Sequence, residues 1–203
     1  MILETAPRDT KTRLLDAALL VIRTKGYSAT SVDDLCQAAG VTKGAFFHYF
    51  KSKEELAVAA AGHFGAMAEG LFAQAPYRAL PDPLSRLLAY VDFRRSILQG
   101  TLPEFTCLLG TLVQEAYETS PAIAAACDRE ISAHAATLEA DIAELMQTQG
   151  TVAAWTASSL ALHTQAVIQG AFILAKAKHG PKVAADSLLH LRQYLELLFS
   201  KKE

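Results

Sequence analysis

Leu15, Ala18, Leu19 and Ile22 recur at i, i+3, i+4 and i+7, the spacing of a single apolar helix face. Gly26 stands where a left-handed C-terminal cap belongs. Val32, Leu35, Cys36 and Ala39 repeat the spacing over a shorter second helix. Thr30-Ser31 opens that helix, Asp33 and Asp34 lie in its first turn where the dipole favours anions, and Gly40 closes it. Thr42 is placed to cap a third helix over 43–49, and Ser52 with Glu55 three residues on forms a capping pair for a fourth that runs to about Ala75. A Pro-bearing loop, PYRALPDP (76–83), follows. Further helices are predicted at roughly 84–98, 105–118, 121–147, 152–178 and 182–199. The breaks between them are GTLP (100–103), TSP (119–121), TQGT (148–151) and HGP (179–181), each carrying Gly or Pro. No alternating run bounded by turn dipeptides speaks for a strand. The expectation is an all-α chain of about nine helices, with a domain over 1–56 and a larger helical domain over 57–203.

The second helix, the GVTK link and the third helix have the length and punctuation of a helix-turn-helix. In a helix from Lys43, Phe46 and Phe50 share one face and would meet Leu15, Leu19, Ile22 and Leu35. The opposite face carries Lys43, Gly44, Phe47 and His48, with Tyr49 at its edge. An exposed Phe beside a His and a Lys suits a helix laid in a major groove, where apolar groups touch thymine methyls and Lys reaches guanine acceptors. Gly44, costly inside a helix, permits close approach to a duplex. Ser52, Lys53, Tyr49 and His48 are expected beside phosphates, and Thr30 and Ser31 are expected to offer backbone N–H groups at the head of the second helix.

Composition changes this picture little. The chain is 51% hydrophobic and 20% charged, enough apolar content for a real core. Net charge is only −2; residues 1–60 carry 8 Lys and Arg against 7 Asp and Glu, and the rest 11 against 14. The asymmetry has the sign of an N-terminal nucleic-acid module but is small. Uninterrupted apolar runs such as AALLVI (17–22) are short for a bilayer. The stretch MILETAPRDTKTR lacks an export pattern. Three cysteines (Cys36, Cys107, Cys127) make neither an even framework nor a C-x-x-C pair. Free thiols in a reducing cytoplasm are therefore expected. The six histidines show no i, i+4 pair, so no metal site is expected.

The stretch RLLDAALLVIRTKGYSATSVDDLCQAAGVTKGAFFHYFKSKEEL resembles the N-terminal DNA-binding domain of the TetR family of bacterial transcriptional regulators. The match is to G-[YF]-x-x-[TS]-[TS]-V-x-x-[IL]-x-x-x-A-G-V-[ST]-x-G-x-[FL]-[FY]-x-[YH]-F-x-[SN]-K-x-x-L and covers about the first quarter of the chain. The resemblance implies a homodimeric repressor that binds a double-stranded, pseudo-palindromic operator. Its C-terminal domain would bind a small-molecule inducer and dimerise, with no cofactor and no enzyme activity. It places Lys43, Gly44, Ala45, Phe47 and His48 at base-facing positions and Tyr49 and Lys53 at phosphate-facing ones, with Thr30, Ser31 and Thr42 completing the DNA-binding set.

Small residues at Ala166 and Gly170, followed by Leu174, recur at i, i+4 and i+8. Leu188, Leu191, Leu195 and Leu198 follow on the last helix. These are the expected dimer surface, a four-helix bundle made by two subunits; a single intramolecular core is the other reading. The inducer is expected among Phe64, Met67, Phe72, Phe93, Leu108, Leu112, Trp155 and Gln169, residues that serve equally as plain core. The stretches FTCLLGTLVQEAYETSP (105–121) and GAFILAKAK (170–178) resemble a TetR branch that responds to electrophiles or oxidants. That likeness implies a reactive Cys107 at the head of a helix with Lys176 as its cation; a free Cys is otherwise a small hydrophobe. Two other functions compete with this one, an enzyme with a Cys or His nucleophile and a nucleoid-type architectural protein. No nucleophile constellation supports the first, and a sequence pI of about 6.3 speaks against the second.

Overall fold

The computed structural model describes residues 9–200, so the first eight residues of the stretch used against an export leader lie outside it. Among the described residues there are ten α-helices and no strand. They are α1 (Thr10–Lys25), α2 (Val32–Ala39), α3 (Lys43–Tyr49), α4 (Lys53–Ala73), α5 (Pro83–Ser96), α6 (Leu102–Phe105), α7 (Leu108–Ala116), α8 (Pro121–Gln149), α9 (Ala157–Ala177) and α10 (Lys182–Phe199). The chain divides into two compact units, Met1–Ala66 with Cys107–Glu130, and Met67–Thr106 with Ile131–Glu203. The expected boundary at residue 56 falls inside α4, whose first part belongs to one unit and last part to the other.

In the first unit α1 turns Leu14, Leu15, Ala18, Leu19 and Ile22 inward, against α2, α3 and α7. The starts of α1 to α4 are capped locally. The Asp9 carboxylate accepts from the N–H and hydroxyl of Thr12, and Ser31 and Asp34 cap α2 reciprocally. The Thr42 hydroxyl accepts from the Ala45 N–H. At the head of α4 the Glu55 N–H donates to Ser52, but the Glu55 carboxylate reaches the Lys51 N–H instead of closing the pair on Ser52. Gly40, at φ +61°, is the left-handed cap of α2, and Arg13 ties the carbonyls of Ala39 and Gly40 to α1. Gly26 also has positive φ (+91°) but an extended ψ, so it ends α1 without the left-handed turn expected of it.

The second unit is built on α10, which packs on both α9 and α5. Leu188, Leu191, Leu195 and Phe199 form its inner stripe, facing Leu87, Leu88 and Val91 of α5 and Ile168, Ala171, Phe172 and Ala175 of α9 as the unit's buried apolar side chains. This corrects the sequence expectation for three of four leucines. Leu188, Leu191 and Leu195 are at most 3% exposed within one chain and have no surface left to bury against a second.

Two expected loops hold more structure than their punctuation suggested. PYRALPDP forms a 3-10 turn over Pro76–Ala79 with Tyr77 buried, and Pro83 opens α5, where its missing N–H costs nothing. GTLP is the start of α6, because Glu104 accepts from both the N–H and the hydroxyl of Thr101 and Pro103 sits in the first turn. The helix expected over 105–118 is consequently split, and Thr106 and Cys107 stand between α6 and α7. The helix expected from 152 begins at 157, capped by Thr156 and Ser159. By length and composition alone α4 and α9 are long and apolar enough to cross a membrane; α9 buries eight residues within its own unit.

Candidate nucleic-acid interface

α3 is seven residues long and divides sharply. Phe46 is fully buried, and its ring meets Phe50 at 6.1 Å and Phe47 edge-on at 5.1 Å. Phe47, the next residue, is 55% exposed. Lys43, Gly44, His48 and Tyr49 are exposed with it, Ala45 is half-buried, and His48 and Tyr49 stack edge-on at 4.8 Å. A Cβ on Gly44 would meet nothing nearer than the Thr42 hydroxyl at 3.8 Å, so no contact within the chain demands glycine there. The face is apolar, aromatic and cationic together, and it is held rigidly from behind by Phe46 and by the Thr42 cap.

Lys43 is not idle in the free chain. Its ammonium lies 2.8 Å from Asp33, which raises its pKa. Both partners are more than half exposed, so the pair contributes little and exchanges readily for another acceptor. Lys53 is more committed. Its Nζ donates to the carbonyls of Tyr27 (2.9 Å) and Thr30 (2.8 Å) and sits 4.3 Å from the Tyr27 ring centre, and burial lowers its pKa. An ammonium has three N–H groups, so one remains for a phosphate. Lys53 therefore first fixes the turn between α1 and α2.

Thr30 and Ser31 do not offer the free N–H groups expected of them. The Thr30 N–H donates to the Tyr27 carbonyl, and Thr30 is 2% exposed. The Ser31 N–H donates to Asp34, whose carboxylate also meets Lys25 and is held well below the usual carboxylate range by Lys25 and Ser31. The turn before α2 has consumed the first donor and the cap of α2 the second, with a carboxylate set beside them. One contributor here has no signal in local spacing: Glu115 of α7 accepts from the Ser28 N–H at 2.8 Å.

The expected effector residues fall in both units. Phe64, Cys107, Leu108 and Leu112 belong to the first. Leu108 and Leu112 are fully buried in its core, and the Phe64 ring lies under Arg23. Met67, Phe93, Trp155, Gln169 and Lys176 belong to the second. Met67 is 52% exposed, whereas Gln169 and Lys176 are half-buried on α9. Trp155 precedes α9 and stacks edge-on against Phe199 at 5.8 Å, which makes it a brace for the end of α10. Cys107 is the N-cap residue of α7 and half-buried, whereas Cys36 and Cys127 are buried. Burial, then the neighbouring Cys107 and Glu130, push the Cys127 thiol up to about 12.

The second unit also holds a polar cluster that single-helix periodicity does not reveal. Tyr90 and Arg94 of α5, His134 of α8 and Gln165 of α9 converge. The Tyr90 hydroxyl lies 3.0 Å from His134 Nε2 and accepts from Arg94 Nε (3.0 Å) and Gln165 Nε2 (3.3 Å). Arg94 Nη2 lies 3.0 Å from the same His134 nitrogen. Burial, with Arg94 and Arg78, lowers the His134 pKa to about 3. The imidazole is therefore neutral, and its Nε2 accepts. The one sequence cue was Tyr90 and Arg94 at i, i+4; the other two partners lie 40 and more residues away.

Of the dimer set, Ala166 and Leu174 are exposed and Gly170 and Leu198 half-buried. A Cβ on Gly170 meets nothing within 4 Å. Leu162, Ile173, Leu189, Tyr194 and Leu197 are exposed on the same two helices, Leu197 at 75%.

α2, the turn at Gly40 and α3 form a helix-turn-helix backed by α1, and a larger all-helical unit accompanies it. Residues 14–60 match the family described as bacterial regulatory proteins, tetR family. Transcriptional regulator AcuR of Cereibacter sphaeroides is 32% identical over 102 residues, 50% of this chain and 47% of that protein. The Tn10 TetC protein of Escherichia coli is 43% identical over 49 residues, 24% of this chain and 25% of that protein. The chain thus spans a quarter to a half of the length of these relatives. The crystal structure of regulatory protein TetR from Rhodobacter sphaeroides superposes with a TM-score of 0.79 at 24% identity, covering 91% of this chain and 98% of that one. The likeness at that identity is one of fold.

Proposed function

We propose that this chain is a transcriptional repressor that binds a pseudo-palindromic operator as a homodimer and lets go when a small effector binds its C-terminal unit. The observation that carries the reading is the outward face of α3, where Phe47 is 55% exposed beside Lys43, Gly44 and His48. A monomer with no partner for that face would leave an aromatic ring in water for nothing. Laid in a major groove, the same ring meets thymine methyls and Lys43 trades Asp33 for a guanine. Thr42, Tyr49 and the remaining N–H of Lys53 are the phosphate contacts of this reading. The dimer would form through an outward stripe of α9 and α10, the exposed Leu162, Ala166, Leu174 and Leu197 with the half-buried Gly170 and Leu198. The test is selection of bound duplexes from a random pool by the full chain. It should enrich two inverted half-sites with centres about one helical turn apart; a pool without an inverted repeat would sink the reading.

A second reading of the signal is favoured by Cys107, the one thiol of the three that is not buried. Its modification by an electrophile would then release the operator. Cys107→Ser should stay bound when the wild type is released; equal release by both places the signal in a reversible ligand instead.

A further inference from the structure

Arg94 is a cation that the fold has not neutralised. In the same unit Arg78 and Arg86 share Asp141, and Arg86 also meets Glu144, so two cations face two carboxylates. Arg95 and Arg192 share Asp92, and Arg192 adds Glu196. Arg94 has only neutral partners among the described residues, Tyr90 and His134, and its Nη1 makes no hydrogen bond there. The geometry holds it in place nonetheless. Its guanidinium carbon lies 4.3 Å from the Phe72 ring centre and 5.5 Å from that of Tyr90, so it packs over aromatic carbon. Phe93 extends the aromatic wall at 5.4 Å from Phe72, and Tyr77 lies 5.9 Å from Phe93. The hydroxyl of Tyr90 is fully used, accepting twice and donating to His134.

A half-buried guanidinium without a counter-ion is costly, and a carboxylate is its best geometric complement, because the planar fork matches two oxygens. We infer that Arg94 is the anchor of an effector site in the second unit that takes a monocarboxylate with a flat apolar body, the carboxylate on the free edge of Arg94 and the body against the half-buried Phe93. Tyr90 and His134 act as positioning residues that hold the guanidinium's other edge, and Gln165 holds the Tyr90 hydroxyl. This deepens the effector reading above by naming its ligand class. An anion arriving there supplies the missing charge, and a neutral isostere does not.

Benzoate and cinnamate, with benzamide and cinnamamide as neutral counterparts, are the probes, read by thermal melting and calorimetric titration of the full chain. Both acids should raise the melting temperature above their amides. Arg94→Gln should weaken acid binding at least about tenfold and abolish the preference for acid over amide, and Arg94→Lys should restore part of it. The wild-type comparison needs no variant to fold. If the amides stabilise as well as the acids, if neither acid binds, or if a folded Arg94→Gln chain keeps the preference, the site is not there. Operator selection run in parallel separates the two readings. An enriched operator with no acid binding leaves the repressor and removes the carboxylate site; Arg94-dependent acid binding with no operator does the reverse.

Discussion

α3 and α10 both carry two kinds of apolar residue, one turned in and one turned out, yet only α3 could be sorted from its own sequence. In α3 the inward Phe46 and outward Phe47 are adjacent. A seven-residue helix has a single face against its neighbours, and Lys43, Gly44 and His48 mark the other. In α10 the inward Leu188, Leu191 and Leu195 and the outward Leu189 and Leu197 belong to two leucine-rich stripes of similar spacing. Nothing local ranks one above the other. A polar marker on one face decides a short helix; two apolar faces on a long helix are decided by whichever neighbours the fold brings against them.

The largest effects come from inverting the inward members of each pair. Phe46→Ala should cost roughly 3–5 kcal/mol of unfolding free energy in denaturant melts, by lost burial and an unfilled cavity. Phe47→Ala should change stability by less than about 0.5 kcal/mol while weakening operator binding. Equal stability losses for the two would erase the division of α3. In α10, Leu195→Ala should cost roughly 2–5 kcal/mol. Leu197→Asp should leave the melting of the subunit nearly unchanged and shift sedimentation from dimer toward monomer. Gly170→Trp gives an independent check, since the chain itself leaves space there; a wild-type-like dimer from both variants would move the interface elsewhere.

His134 sharpens the comparison through pH. Its folded pKa of about 3 lies below the ordinary 6.5, so between those values the unfolded chain binds a proton that the folded chain refuses. Its contribution is fully present above pH 6.5 and is lost as pH falls toward 3, on the order of a few kcal/mol in all. Melts of His134→Gln should show a flatter acid slope than wild type; parallel slopes would mean that His134 titrates normally.

Smaller effects belong to the surface of α3. Lys43→Ala should cost roughly 1–3 kcal/mol of operator affinity and relax one base position in a repeated selection. Asp33→Asn, which frees Lys43 without touching the core, should alter stability by less than about 0.5 kcal/mol. It should tighten operator binding slightly, and a weaker complex would show that Asp33 orients Lys43 for the groove.

The helical class, most helix positions, and the inward Phe46 and Phe50 with an outward Lys43, Phe47 and His48 were determined by the chain's own spacing and caps, which act over three or four residues. What local spacing could not carry was decided in three dimensions. The Thr30 N–H is spent on the Tyr27 carbonyl and the Ser31 N–H on Asp34, and Lys53 turns to the carbonyls of Tyr27 and Thr30. Leu188, Leu191 and Leu195 go inward because α5 and α9 lie on that side. The charge left on Arg94 is a property of neither α5 nor any motif. It exists because Tyr90, steadied by Gln165, and His134, brought together from three helices, satisfy a guanidinium with neutral groups, and only the packing of distant segments determines which charges meet a partner.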